Sequence, residues 1–346
     1  MNSLVAIIIT TVVAFGVTGG LGFVIIPWLR KLKFGQTILD IGPSWHKKKQ
    51  GTPNMGGLMF IIGILVAFAV GTITFKLSGG NLQSDYSSII MGRDKVLMAS
   101  GMMLALGCGI VGFTDDFIKI KLKRNEGLTP KQKTAGQLII TVGYVLSLWL
   151  SHNTTWKLPF IGTVDFERNV FTGVVFWLVS IFIIYGTVNS VNLTDGIDGL
   201  CSSVTTTAAI AFIIISFILQ YAGMGIMAGA LLGGVLGFLC WNWNPAKTFM
   251  GDTGSLFLGG MVAALAYSMK CPLLLIFIGI VYVCETLSDI IQIGYFKLTG
   301  GKRIFKMAPI HHHFEMCGWK EKKICVVFSA VNAIGCIIAI LLVNFG

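Results

Sequence analysis

Ten apolar runs, most of them long enough to cross a hydrocarbon layer about 30 Å thick as helices, constrain this chain more than any other feature. They cover roughly residues 4–29, 56–75, 96–114, 134–150, 170–188, 200–221, 223–241, 255–269, 272–296 and 324–345. Lipid offers no hydrogen bonds to a bare backbone, so each run has to satisfy its own N–H and C=O groups as a helix. Only 12% of the residues are charged, against about 25% in a soluble domain, and 54% are hydrophobic. The reading is an all-α polytopic integral membrane protein with about ten transmembrane helices in one domain, residues 1–346. The first run is too long for a signal-peptide core and has no basic stretch before it, so it is expected to stay as a spanning helix.

The 43 glycines are spread through the runs and suit close helix packing. None of the eight cysteines forms a Cys-x-x-Cys pair, so neither a disulfide framework nor a zinc site is expected. No tandem repeat or linker divides the chain.

A net charge of +11 would suggest a nucleic-acid partner in a soluble protein. Here the charge sorts by loop. Of 26 Lys and Arg residues, 20 fall in the loops after the odd-numbered runs, and Lys76, Arg93, Lys95, Lys157, Arg168 and Lys270 lie in the others. The positive-inside rule then assigns the odd loops to the cytoplasm and both termini to the outside. No nucleic-acid partner is expected. The second use of this basic charge is to hold anionic headgroups of membrane lipids, or phosphates.

The polar motifs follow the same split, which places the active site at the cytoplasmic face. Asp115-Asp116 ends the third run, where hydrocarbon meets water. Two adjacent carboxylates are costly there unless a cation faces them. Lys119, one turn after Asp115, supplies one, and a divalent metal is the other obvious partner. Asn192-Leu193-Thr194-Asp195-Gly196-Ile197-Asp198-Gly199 precedes the sixth run, with Asn192, Asp195 and Asp198 at every third position. Phe249-Met250-Gly251-Asp252 opens the eighth, where Asp252 is either a helix cap or a metal ligand. Magnesium takes a few carboxylates plus substrate phosphates, and Asp252 with Asp115-Asp116 fits that style. Asn242 and the Phe249 ring lie at the same mouth, where an aromatic face could stack on a base.

Pro309-Ile310-His311-His312-His313-Phe314-Glu315 holds three of the five histidines. Neighbouring side chains on a helix diverge too far for one metal to take all three, so contacts to phosphate or sugar oxygens are the expected use. Within the ninth run, Asp289 and Gln292 fall near the cytoplasmic end. Glu285 lies deeper, with a hydrogen-bonding and a functional role both open. The first cytoplasmic loop carries Lys47-Lys48-Lys49 and then Gly51-Thr52-Pro53-Asn54-Met55-Gly56-Gly57. This is either topology charge plus a turn, or a basic arm over an anionic substrate with Lys49 and Thr52 as contacts. Together these groups suit phosphoryl transfer between a soluble donor and a membrane-embedded acceptor.

In order along the chain, Asp115-Asp116 with Lys119, the Asn192–Gly199 motif, Phe249–Asp252 and Pro309–Glu315 resemble the phospho-N-acetylmuramoyl-pentapeptide transferase family. That family is a branch of the polyprenyl-phosphate N-acetylhexosamine-1-phosphate transferases, and the histidine motif points to the branch. Asn54 stands where the family pattern has Thr. The resemblance implies a homodimer in the bacterial cell membrane. It implies Mg2+-dependent transfer of phospho-MurNAc-pentapeptide from UDP-MurNAc-pentapeptide to undecaprenyl phosphate, giving lipid I and UMP in peptidoglycan synthesis. It also implies roles. Asp252 binds the metal; Asp115, with Asp116 beside it, activates the lipid phosphate; Lys119 and Lys131 hold phosphates. Asn192, Asp195, Asp198, Asn242, Phe249 and Gly251 frame the uridine and diphosphate, while Gln292, His311, His312 and His313 face them. The alternatives are a sister transferase using UDP-N-acetylglucosamine, and a transporter. A transporter would place charged groups near the midplane rather than at one face.

Overall fold

The structure is a computed structural model that describes residues 2–32, 49–80, 93–122, 124 and 126–345, with backbone only at 93–95. Lys47 and Lys48 of the basic arm lie outside the described residues.

Each of the ten apolar runs is helical. The helices are α1 (Ser3–Lys31), α2 (Gly57–Leu77), α3 (Arg93–Lys121), α4 (Pro130–Leu150), α5 (Val170–Thr194), α6 (Leu200–Ile218), α7 (Ala222–Asn242) and α8 (Gly251–Ser268). The ninth run forms a short α9 (Leu275–Ile278) and then α10 (Ile280–Leu298); α11 (Ile310–Met316) and α12 (Glu321–Phe345) follow. Among the described residues, eight helices are long and apolar enough to cross a membrane, and α8 is not one of them.

Two features depart from a plain bundle of straight spans. Pro272–Ile278 and α10 meet at a bend of 84°, so the ninth run is a broken span. Asn332 of α12 holds the break: its Nδ2 donates to the Ile278 carbonyl at 2.9 Å and its Oδ1 accepts from the Val281 N–H at 3.3 Å. Backbone groups freed in a span need such partners. The loop before α5 also contains an antiparallel hairpin, β1 (Thr155–Leu158) with β2 (Gly162–Asp165), that hydropathy did not suggest.

The site is organised around α8. Every residue from Thr253 to Ser268 is buried, so this helix has no lipid-facing side, and it packs chiefly on α3 and α5. A Cβ at Gly112 of α3 would overlap the Asp252 carbonyl, so glycine there lets the end of α3 lie directly against the start of α8. The ends of α3, α5 and α8 that carry the acidic motifs therefore meet.

Candidate active site

Asp115, Asp116 and Asp252 offer carboxylate oxygens all within 4.8 Å of one another. Lys119 sits among them, its Nζ 2.5 Å from Asp115 Oδ2, 2.9 Å from Asp252 Oδ2 and 3.9 Å from Asp116 Oδ1. Lys133 reaches Asp252 Oδ2 at 3.1 Å from the first turns of α4. Asn192, near the end of α5, donates from Nδ2 to Asp252 Oδ1 at 2.8 Å and to Ser255 Oγ at 2.7 Å. Five expected site residues from three helices thus form one network.

The adjacent aspartates do different work. Successive helix residues point about 100° apart. Asp116 turns into the protein and is fully buried. Its Oδ2 accepts from the Thr253 N–H at 2.9 Å and the Thr253 hydroxyl at 2.7 Å, and its Oδ1 accepts from Asn54 Nδ2 at 3.4 Å. Met250 gives α8 no side-chain cap, so Asp116 supplies one from another helix. Gly251 at φ +69° completes this junction, since a Cβ there would come 2.5 Å from Asp116 Oδ2. Asp115 accepts at Oδ1 from the Leu128 N–H at 2.9 Å, and its Oδ2 meets the Lys119 ammonium, with the Asp252 carboxyl group alongside.

A second cluster joins Lys49 to Asp198 Oδ1 and Glu321 Oε2, both at 2.7 Å. Asp198 Oδ2 also accepts from Asn244 Nδ2 at 3.1 Å and the Ala246 N–H at 2.9 Å. This clasp ties the first loop, the α5–α6 turn, the α7–α8 loop and the start of α12. Burial alone would push the Lys49 ammonium down, but Glu321 and Asp198 outweigh it and hold its pKa above the usual lysine value. Asp195, on the same turn, is driven well above the usual carboxylate range by enclosure of its carboxyl, and then by the charges of Asp252, Asp116 and Asp198.

The other expected residues divide. Asn242 is buried and saturated: Oδ1 accepts from Gly199 N–H at 3.1 Å and Ser202 Oγ at 3.3 Å, and Nδ2 donates to the Thr248 carbonyl at 3.0 Å. Gln292 braces the segment before α11, accepting from the Ile304 and Phe305 N–H groups and donating to the Phe305 carbonyl. Phe249 is half-buried, and its backbone pairs with Pro53 and Gly56. Thr52 is half-buried at the turn closed on the Lys49 carbonyl. Lys131 is exposed, and Lys133 takes the position beside Asp252.

The three histidines lie on α11, each with its own partner. His311 pairs through Nδ1 with Glu285 Oε2 at 2.9 Å, and His312 through Nδ1 with Glu315 Oε2 at 2.6 Å. His313 Nδ1 accepts from the Lys306 N–H at 3.1 Å. The buried His311 ring reaches the α5–α6 turn, against Gly196. Lys133, Thr253, Asn54 and Glu321 were not singled out from sequence as site residues. Their part here depends on which faces meet across the bundle.

Residues 98–270, which carry the three carboxylates and two ammonium groups of this network on α3, α4 and α8, match the model of glycosyl transferase family 4. The phospho-N-acetylmuramoyl-pentapeptide-transferases of Bacillus mycoides, Bacillus thuringiensis and Bacillus cereus are each 44% identical to this chain over 342 residues, covering 98% of it and 98% of their own lengths. The chain belongs to the phospho-N-acetylmuramoyl-pentapeptide transferase family. It is a transferase and a multi-pass protein of the bacterial cell membrane.

Proposed function

We propose that this enzyme transfers phospho-MurNAc-pentapeptide from UDP-MurNAc-pentapeptide to undecaprenyl phosphate, forming lipid I and UMP in peptidoglycan synthesis. The observation that carries the reading is the Asp115, Asp116 and Asp252 triad with Lys119 among its oxygens, in a chain of this family. An oxygen of the lipid phosphate bonds to the sugar-bearing phosphorus, and the bond from that phosphorus to the UMP oxygen breaks. Asp115 takes the acceptor side, because its Oδ2 meets a lysine ammonium, whereas the Asp116 carboxylate is committed to the start of α8. Lys119 and Lys133 balance phosphate charge. Asn192 and Asp195 face the diphosphate, and His311 meets it from the opposite wall. Asp116 keeps the start of α8, and with it Asp252, in place.

The donor set fits a hard divalent cation, since carboxylate oxygens are its preferred ligands. Two lysine ammonium groups meet at Asp252 Oδ2, an oxygen that a cation would use. Mg2+ held by Asp252, with Asp115 or a substrate phosphate adjacent, would neutralise the diphosphate and polarise the phosphoryl group. The loop charge supports an orientation with the site in the cytoplasm and both termini outside, and the proposal includes a homodimer.

The test is UMP release by the purified protein, with each substrate omitted in turn. UMP should form only with both the MurNAc-pentapeptide donor and a polyprenyl phosphate. Equal or better turnover with UDP-N-acetylglucosamine would assign the chain to the sister activity instead.

A further inference from the structure

We propose that Glu285 is a positioning residue for the transfer, fixing the tautomer and direction of the His311 ring. The inference deepens the reading above and rests on its placement of His311 beside the donor.

Both side chains are fully buried where α10 faces α11. Glu285 Oε2 lies 2.9 Å from His311 Nδ1, and the same oxygen accepts from the His311 backbone N–H at 3.4 Å. A carboxylate oxygen that takes two contacts from one residue acts as the acceptor, so the ring proton sits on Nδ1. In the neutral ring Nε2 is then bare. Nε2 is buried and has no hydrogen-bond partner within the protein. It abuts Gly196, where any Cβ would overlap it, directly after Asp195. A buried, partnerless ring nitrogen is costly in an apolar setting. Directed at the turn that carries Asp195 and follows Asn192 of α5, it is aimed where the donor's diphosphate would lie.

The other histidines lack this arrangement. His312 takes its carboxylate from its own helix, and His313 faces a backbone N–H. Glu285 Oε1 is also buried without a hydrogen-bond partner, and Oε2 takes both of its contacts from His311. The charged and titratable neighbours facing the pair are Cys284 and Asp289 on α10 and His312 on α11. A carboxylate behind an imidazole fixes the ring's tautomer and direction. Either state of Nε2 is useful here: bare, it accepts from a donor hydroxyl or amide; protonated, it holds a phosphate oxygen.

The experiment compares the full-length wild type with Glu285→Gln, Glu285→Asp, His311→Ala and the Glu285→Gln/His311→Ala double variant, by UMP release. Thermal unfolding checks each fold. Glu285→Gln should lower kcat by about ten- to a hundredfold with donor KM within about threefold. Glu285→Asp should recover part of the loss. The double variant should be no slower than His311→Ala, because residues acting as one unit are not additive. A folded Glu285→Gln with unchanged kcat, or losses that multiply in the double variant, would overturn the inference. Wild-type turnover in His311→Ala would instead remove the reading of His311 itself. Independently of any variant, 15N spectra of histidine-labelled wild type should show His311 protonated at Nδ1 and bare at Nε2; the opposite tautomer refutes the proposal.

Discussion

Asp116→Ala is the sharpest test of how the site is held together. The substitution removes the acceptor of two buried donors, the Thr253 N–H and hydroxyl, and of the weaker Asn54 contact. A buried donor left without a partner costs about 1–3 kcal/mol. Loss of one carboxylate from the triad relieves some repulsion and offsets part of this. The net expectation is a loss of about 2–4 kcal/mol. Asp116→Asn behaves differently. Its carbonyl can accept from both Thr253 donors while its amide faces Asn54 Oδ1, which has no partner in the wild type. That variant should lose about 1 kcal/mol or less. Thermal unfolding followed by tryptophan fluorescence in detergent micelles should show a drop of about 5–10 °C for Ala and about 2 °C for Asn. Equal drops for the two variants would mean that charge, rather than the cap on α8, holds the junction. No drop for Ala would mean that the cap does nothing.

Asp115→Asn should abolish turnover and largely spare donor binding measured by calorimetry; lost donor affinity with turnover intact would move Asp115 to the metal side. Lys49→Met leaves Asp198 and Glu321 facing each other and should cost about 2 kcal/mol, with Glu321→Gln restoring part of it; additive losses would contradict the clasp. Asp195 has a folded-state pKa raised above its unfolded value. For an acid, that means the fold bears no penalty below the unfolded pKa near 4 and a growing one as pH rises toward the folded value. Asp195→Asn should therefore unfold at higher temperature than wild type at neutral pH, with the gap closing below about pH 4; a constant gap across pH would refute the assigned cause.

The spans were legible because an apolar run of sufficient length has few ways to satisfy its backbone in lipid. The break at Gly279 was not, because hydropathy sums are blind to direction and the partner that stabilises the bend, Asn332, is 51 residues away from Val281. Asp115, Asp116, Lys119, Asn192 and Asp252 were recognisable as polar groups at the ends of apolar runs, where charge needs a reason. Their division of labour was hidden. Asp115 and Asp116 look equivalent in sequence, yet one helical step sends Asp116 into the α8 cap. Lys131 and Lys133 are two steps apart on α4, so they point to opposite sides, and only the packing shows that Lys133 meets Asp252. The histidine motif was recognisable, but what sets His311 apart was not, because its partner, Glu285, lies 26 residues earlier on another helix.

The most direct measurement is Mg2+-titrated UMP release by the wild type and Asp252→Ala, with both substrates saturating. The account predicts no turnover by the chelated wild type, recovery as Mg2+ is added, and almost no turnover by Asp252→Ala at any Mg2+ concentration. Magnesium-independent turnover, or an Asp252→Ala enzyme with wild-type rate and magnesium response, would contradict it.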